Sequence, residues 1–198
     1  MSQQRKALGL AGAVILLGLA CSPTLAAEPL KIVAVGGSNT YGKDVSRADA
    51  YPVQLEAVLR RDGLDVTVRN EGISGQTTAE MLLRLRLTVP EGTHIVILQV
   101  GRNDRRQGKE TNTKANVEKM LATLRDRHIE VLIIPGGPLR GPELRELADK
   151  YDALVAPPLA RMASGERLDE HFSPEGYRMM AEQLAPLVET LMERVRHR

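Results

Sequence analysis

Aromatic side chains are nearly missing from this sequence, which has no Trp, one Phe and four Tyr among 198 residues. Proteins that stack nucleobases or sandwich a flavin rely on such rings, so both roles are disfavoured. An excess of one charge sign is missing too. With 27 Lys+Arg against 25 Asp+Glu, the chain has no basic field to hold a phosphate backbone, and nucleic acid is not an expected partner. No apolar run reaches the roughly 18 residues of a membrane-spanning helix; the longest, Ala7 to Ala20, falls short. Cysteine occurs once, at Cys21.

The cationic pair Arg5-Lys6, the apolar stretch behind it and the small-x-Ala pattern Thr24-Leu25-Ala26 predict an export signal over residues 1–26. The expected product is a single domain over residues 27–198 in an exported, periplasmic or secreted location, with no stable membrane span. A retained N-terminal anchor is one alternative. A lipid on Cys21 is another, although Gly18-Leu19-Ala20 lacks the Leu that usually stands three residues before such a cysteine. Cleavage after Ala26 takes away Arg5, Lys6, the only Cys and no acid, leaving 25 basic and 25 acidic residues. Such a chain has no disulfide, no thiolate metal site and no cysteine nucleophile.

From Leu30 onward, short β-branched or aliphatic runs alternate with segments of helical period. Strands are predicted at Leu30 to Val35, Asp65 to Arg69, His94 to Val100, Glu130 to Ile134 and Ala153 to Ala156. Most are apolar almost throughout, as in a parallel sheet covered on both faces. Helices are predicted between them. Tyr51, Leu55, Val58 and Leu59 recur at helical spacing behind Pro52, and Thr77 with Glu80 three residues on is a capping box. Val117, Met120, Leu121 and Leu124 mark a third helix, Leu144, Leu147, Ala148 and Tyr151 a fourth. The last opens at Ser173-Pro174, with a kink expected at Pro186. Five β–α units in order predict an α/β fold: a three-layer, doubly wound, parallel five-stranded sheet of flavodoxin-like form. Its functional groups belong on loops at the carboxyl ends of the strands.

Four such loops carry candidate chemistry. After the first strand, Gly36-Gly37-Ser38-Asn39-Thr40-Tyr41-Gly42 sets a hydroxyl between glycines at a strand-to-helix turn, a pattern that serves a helix cap or phosphate cradle as well as a nucleophile. After the second, Gly75 stands just before the capped helix start, where backbone N–H groups lack intrahelical partners. After the third, Gly101-Arg102-Asn103-Asp104 offers a side-chain amide as a donor, or a plain turn. His171, in Leu168-Asp169-Glu170-His171-Phe172-Ser173-Pro174, is the only one of four histidines in a polar loop with nearby carboxylates. Arg102, Arg105, Arg106 and Lys109 read as a solvated loop diluted by Asp104 and Glu110, with attraction of an anionic group as the alternative.

In order and in placement, the four loops resemble the serine, glycine, asparagine and histidine blocks of the SGNH hydrolases, or GDSL esterase/lipase family. The resemblance runs from about Ile32 to Leu184 and is nearest to exported enzymes of arylesterase, thioesterase and lysophospholipase type. It implies a hydrolase of carboxylic esters or thioesters, acting on a small-molecule acyl substrate. Ser38 is then the nucleophile. The backbone N–H groups of Ser38 and Gly75 and the amide of Asn103 form the oxyanion hole, and His171 is the general base. No cofactor is implied, and no HExxH, paired-Cys or Gly-x-x-x-x-Gly-Lys-Ser/Thr motif is present. A carbohydrate O-deacetylase on the same fold and a non-catalytic flavodoxin-like binding module are the alternatives. The family pattern is broken twice. Gly37 replaces the usual Asp before the serine, and Leu168 occupies the place of the acid three residues before the histidine. Asp169 is the favoured orienting acid, with Glu166 or a backbone carbonyl as substitutes.

Overall fold

The computed structural model describes residues 28–163, 166–168 and 171–198. The export-signal reading therefore lies outside the described residues, as does Asp169. Strands β1 (Leu30–Gly36), β2 (Val66–Gly72), β3 (Ile95–Gln99), β4 (Glu130–Ile134) and β5 (Leu154–Val155) form one parallel sheet in the order β2-β1-β3-β4-β5. Each crossover carries a helix long enough to cover the sheet. These are α2 (Tyr51–Arg61), α3 (Thr78–Thr88), α5 (Thr113–Asp126) and α6 (Gly141–Tyr151), and α8 (Pro174–Arg196) closes the chain.

The two-residue period of the strands divides the core cleanly. Ile32, Ala34, Ile95, Ile97, Leu132 and Ile134 face α2 and α8, meeting Tyr51, Leu55, Leu59, Met180, Leu184 and Val188. Their neighbours Val33, Val35, Val96, Leu98, Val131 and Ile133 face α3, α5 and α6, meeting Met81, Leu85, Met120, Leu121, Leu144 and Leu147. Every residue of β3 and β4 is buried, which accounts for the apolar runs Ile95 to Leu98 and Val131 to Ile134.

All five predicted strands and five predicted long helices are present, with boundaries displaced by a few residues. Sequence periodicity did not find the short pieces, among them α1 (Ser38–Tyr41), α4 (Arg102–Arg106), α7 (Leu159–Met162) and the antiparallel pair β6 (Arg167–Leu168) and β7 (His171–Phe172). Segments of two to five residues are too short to show a period. Helix α8 runs without interruption through Pro186. No described helix is long and apolar enough to cross a membrane.

The strand order sets the site. The chain leaves β1 toward β2 on one side and returns to β3 on the other, so the loops after β1 and β3 diverge and leave a crevice between them.

Candidate active site

Ser38 is the first residue of α1, directly after β1, and is 7% exposed. Two glycines make its turn possible. A Cβ on Gly36 would stand 2.1 Å from Thr40 Oγ1, and one on Gly37 would stand 2.5 Å from the Asn103 amide nitrogen. The Asp of the family pattern is therefore excluded at position 37 unless Asn103 moves. The turn is braced from beneath instead, since the Gln99 side-chain oxygen accepts from the Gly37 N–H at 3.3 Å and from the Thr40 hydroxyl at 3.2 Å. The buried Tyr51 hydroxyl joins this network through Thr40 at 3.3 Å, and burial pushes its ionisation well above the ordinary range.

Gly75 adopts φ +81°, the left-handed conformation that glycine enters without strain, and no atom lies within 4 Å of where its Cβ would be. The turn ahead of α3 is fixed by the predicted capping box: Glu80 accepts from both the N–H and the hydroxyl of Thr77 at 2.8 Å. These bonds hold the Glu80 carboxyl below its usual range. Gln107 donates to the Gly75 carbonyl at 2.6 Å and so ties the loop to the residues after β3.

Asn103 sits on α4, two residues beyond Gly101, which has φ +86°. Its amide nitrogen donates to the Gln76 carbonyl at 2.9 Å, leaving the second amide hydrogen for another acceptor. Asp104, only 1% exposed, faces inward. Its carboxylate accepts from the Thr78 N–H at 3.1 Å, from the Thr78 hydroxyl and from the Thr113 hydroxyl at 3.2 Å. Asp104 therefore pins α4 to the start of α3, while Arg105, Arg106 and Lys109 are exposed, as the solvated-loop reading expects.

His171 lies on β7, paired with Leu168 of β6, and is 4% exposed. Phe172 anchors it from the other face of the strand, fully buried and packed edge-to-face on Tyr177 of α8 at 5.9 Å. The Tyr177 hydroxyl is pushed up to about 12, chiefly by burial.

The carboxylate on the imidazole comes from a place the sequence did not suggest. Asp44 Oδ2 stands 2.5 Å from His171 Nδ1, across 127 residues of chain. Two left-handed residues turn the chain toward it, Gly42 at φ +82° and Asp44 itself at φ +71°. Aspartate is among the few side chains that enter this region readily. Glu166, the proposed substitute, accepts instead from the Ser173 hydroxyl at 3.3 Å, beside the N-cap of α8. The one available signal for Asp44 was an Asp directly behind the serine turn, and nothing in its spacing specifies a partner near the C-terminus. The other histidines have different settings: His94 Nδ1 accepts from the Lys31 N–H at 3.0 Å, His128 occupies a turn at φ +56° and His197 is exposed.

Ser38, Gly75, Asn103 and His171, drawn from four separate loops, line one cavity of about 260 Å³, with Lys43 and Arg106 at its rim. Neither the Ser38 nor the Gly75 N–H donates to a partner among the described residues. The cavity thus brings together residues that carry a hydroxyl, an imidazole paired with a carboxylate, and three N–H donors. This is the equipment of nucleophilic acyl transfer.

Known proteins share this fold. An arylesterase from Vibrio mimicus is 30% identical over 106 residues, a match covering 52% of this chain and 53% of the relative, so the chain spans about half the length of that protein. The crystal structure of AlinE4, an SGNH-hydrolase family esterase, superimposes with a TM-score of 0.64 at 27% identity, covering 87% of this chain and 97% of its own. The TesA crystal structure superimposes with a TM-score of 0.72 over 81% of this chain and 99% of its own; at 22% identity it shows a shared fold. Residues 34–179, which hold every loop of the cavity, match the model of the GDSL-like lipase/acylhydrolase family, and the chain belongs to that family.

Proposed function

We propose that this protein hydrolyses carboxylic esters, and thioesters by the same steps, through an acyl-enzyme on Ser38. The observation that carries this reading is the shared cavity of Ser38, Gly75, Asn103 and His171. His171 Nε2 takes the Ser38 proton as Oγ attacks the carbonyl carbon, while the Nδ1–H donates to Asp44, which stabilises the imidazolium formed. The carbonyl electron pair moves onto oxygen, where the N–H groups of Ser38 and Gly75 and the free hydrogen of the Asn103 amide receive it. Each such donor is worth about 3 kcal/mol in the transition state. Collapse expels the alkoxide or thiolate, which takes the proton from His171. Water then repeats the sequence on the acyl-serine, with His171 again holding the proton in transit.

Asp44 is thus the orienting acid of this reading, in the role the family assigns to a residue just before the histidine. The family membership and the likeness to AlinE4 support ester hydrolysis. The N-terminal pattern of Arg5-Lys6, Ala7 to Ala20 and Thr24-Leu25-Ala26 supports an exported enzyme.

The test is a Ser38→Ala variant assayed on 4-nitrophenyl acetate and butyrate, together with fluorophosphonate labelling of the parent. The variant is expected to lose turnover with an unchanged circular dichroism spectrum, and the label to map to Ser38. Undiminished turnover, or a label on another residue, rejects the assignment.

A further inference from the structure

A larger cavity, of about 690 Å³, opens between the loops after β3 and β4 and the chain beyond β5. It adjoins the catalytic cavity. Arg106 lines both, and Gln99, which holds the Gly37 N–H ahead of the nucleophile, forms part of its wall. Leu144, Val155, Ala156 and Pro158 give it an apolar floor.

Among the described residues its charge is of one sign: Arg102, Arg105 and Arg106 from α4 and Arg140 and Arg145 from the start of α6 line it, and no described Asp or Glu does. This concentration is local, because the whole chain has a formal net charge of only +2. Of the acids beside these arginines in sequence, Asp104 is turned into the protein by Thr78 and Thr113, Glu146 pairs with Lys114 at 3.5 Å, and Glu143 is not among the lining residues. Arg105, Arg140 and Arg145 are exposed and form no ion pair among the described residues. Guanidinium groups gathered around one cavity repel one another until an anion joins them, and their planar forks match carboxylate and phosphate oxygens. Beneath them, the apolar floor favours a hydrocarbon stretch.

We infer that this cavity receives one arm of the substrate ester, and that this arm is an apolar segment ending in an anionic group, a carboxylate or a phosphate. The inference rests on the ester-hydrolase reading above and narrows its substrate class. A neutral acyl chain would use the floor and leave Arg105, Arg140 and Arg145 without an ion pair among the described residues.

The test compares matched esters on the purified protein at low ionic strength. For the acyl arm the pair is 4-nitrophenyl hexanoate and the mono-4-nitrophenyl ester of adipate; for the alcohol arm it is methyl 4-acetoxybenzoate and 4-acetoxybenzoate. A 4-nitrophenyl ester of 6-phosphonohexanoate separates phosphate-like from carboxylate recognition. In at least one pair the anionic member is expected to have the higher kcat/KM, by about tenfold, a ratio that shrinks as salt screens the charges.

The ratio is read within each variant, so overall losses of activity cancel. It should fall about tenfold in Arg140→Gln/Arg145→Gln, as expected for two partly exposed charge pairs, and largely survive in Arg140→Lys/Arg145→Lys. A ratio at or below one in both pairs, or one unmoved by the glutamine variant, overturns the inference. Hydrolysis of the neutral esters without anionic preference leaves the ester-hydrolase reading standing, whereas failure on every ester removes both.

Discussion

Replacing Asp44 with Asn keeps the shape of the side chain and removes its charge, which isolates what the carboxylate does for His171. The bond is short, at 2.5 Å, and the imidazole is almost wholly buried, but the Asp44 side chain is 43% exposed and solvent shares in its charge. A hydrogen bond to a charged partner contributes about 1.5–3 kcal/mol, and the exposure of Asp44 argues for the lower part of that range. At about 1.4 kcal/mol per factor of ten, Asp44→Asn should lower kcat roughly 10- to 30-fold. KM should change little, because Asp44 is not among the residues lining the catalytic cavity. Stopped-flow hydrolysis of 4-nitrophenyl acetate gives acylation and turnover separately, and both steps should slow together, since His171 moves the proton in each. Asp169→Asn, measured alongside, is the control that decides between the two acids. If Asp44→Asn keeps its turnover while Asp169→Asn loses a hundredfold, the pairing seen at Nδ1 is not the one that works during catalysis.

Restoring the family's residue at the serine turn should damage this protein. Gly37→Asp brings a Cβ to within 2.5 Å of the Asn103 amide, and displacing that donor should cost about a hundredfold in kcat with KM less affected; full activity in steady-state assays would refute the steric reading. Asp104→Ala strips the partner from the Thr78 N–H and two hydroxyls in a buried place, a loss of about 3 kcal/mol. It should lower Tm by roughly 6–12 °C in calorimetry, and a shift under 2 °C would contradict it. Alkali should unfold the protein through its buried phenols. Tyr177 ionises near 12 and Tyr51 higher still, against an ordinary value of 10, so the stability they confer is intact below pH 10 and drains away as pH rises through about 12. Tyrosinate absorbance at 295 nm from these two residues should rise together with the loss of far-ultraviolet circular dichroism. Complete ionisation of all four tyrosines with the fold intact at pH 11 would refute this.

The arginines show where reading along the chain was insufficient. In sequence, Arg102, Arg105, Arg106 and Lys109 read as a solvated loop diluted by Asp104 and Glu110. In space, Asp104 is consumed by Thr78 and Thr113, while Arg140 and Arg145 arrive from another loop to replace it with like charge. The Gly37 departure is likewise legible only in three dimensions, because its reason is the amide of a residue on a different strand's loop.

What the sequence determined alone was whatever depends on near neighbours. Strand and helix identity followed from periodicity, the Thr77–Glu80 cap from its spacing, and the four loops from the strands they follow, since a parallel sheet must present all those loops at one end. What the tertiary structure decided was which side chains from distant segments meet. Asp44 reaches His171 through a turn of two left-handed residues, and five arginines from two loops share one cavity. A contact across 127 residues leaves no local pattern, because it is fixed by how the sheet and helices pack and not by the spacing of letters along the chain.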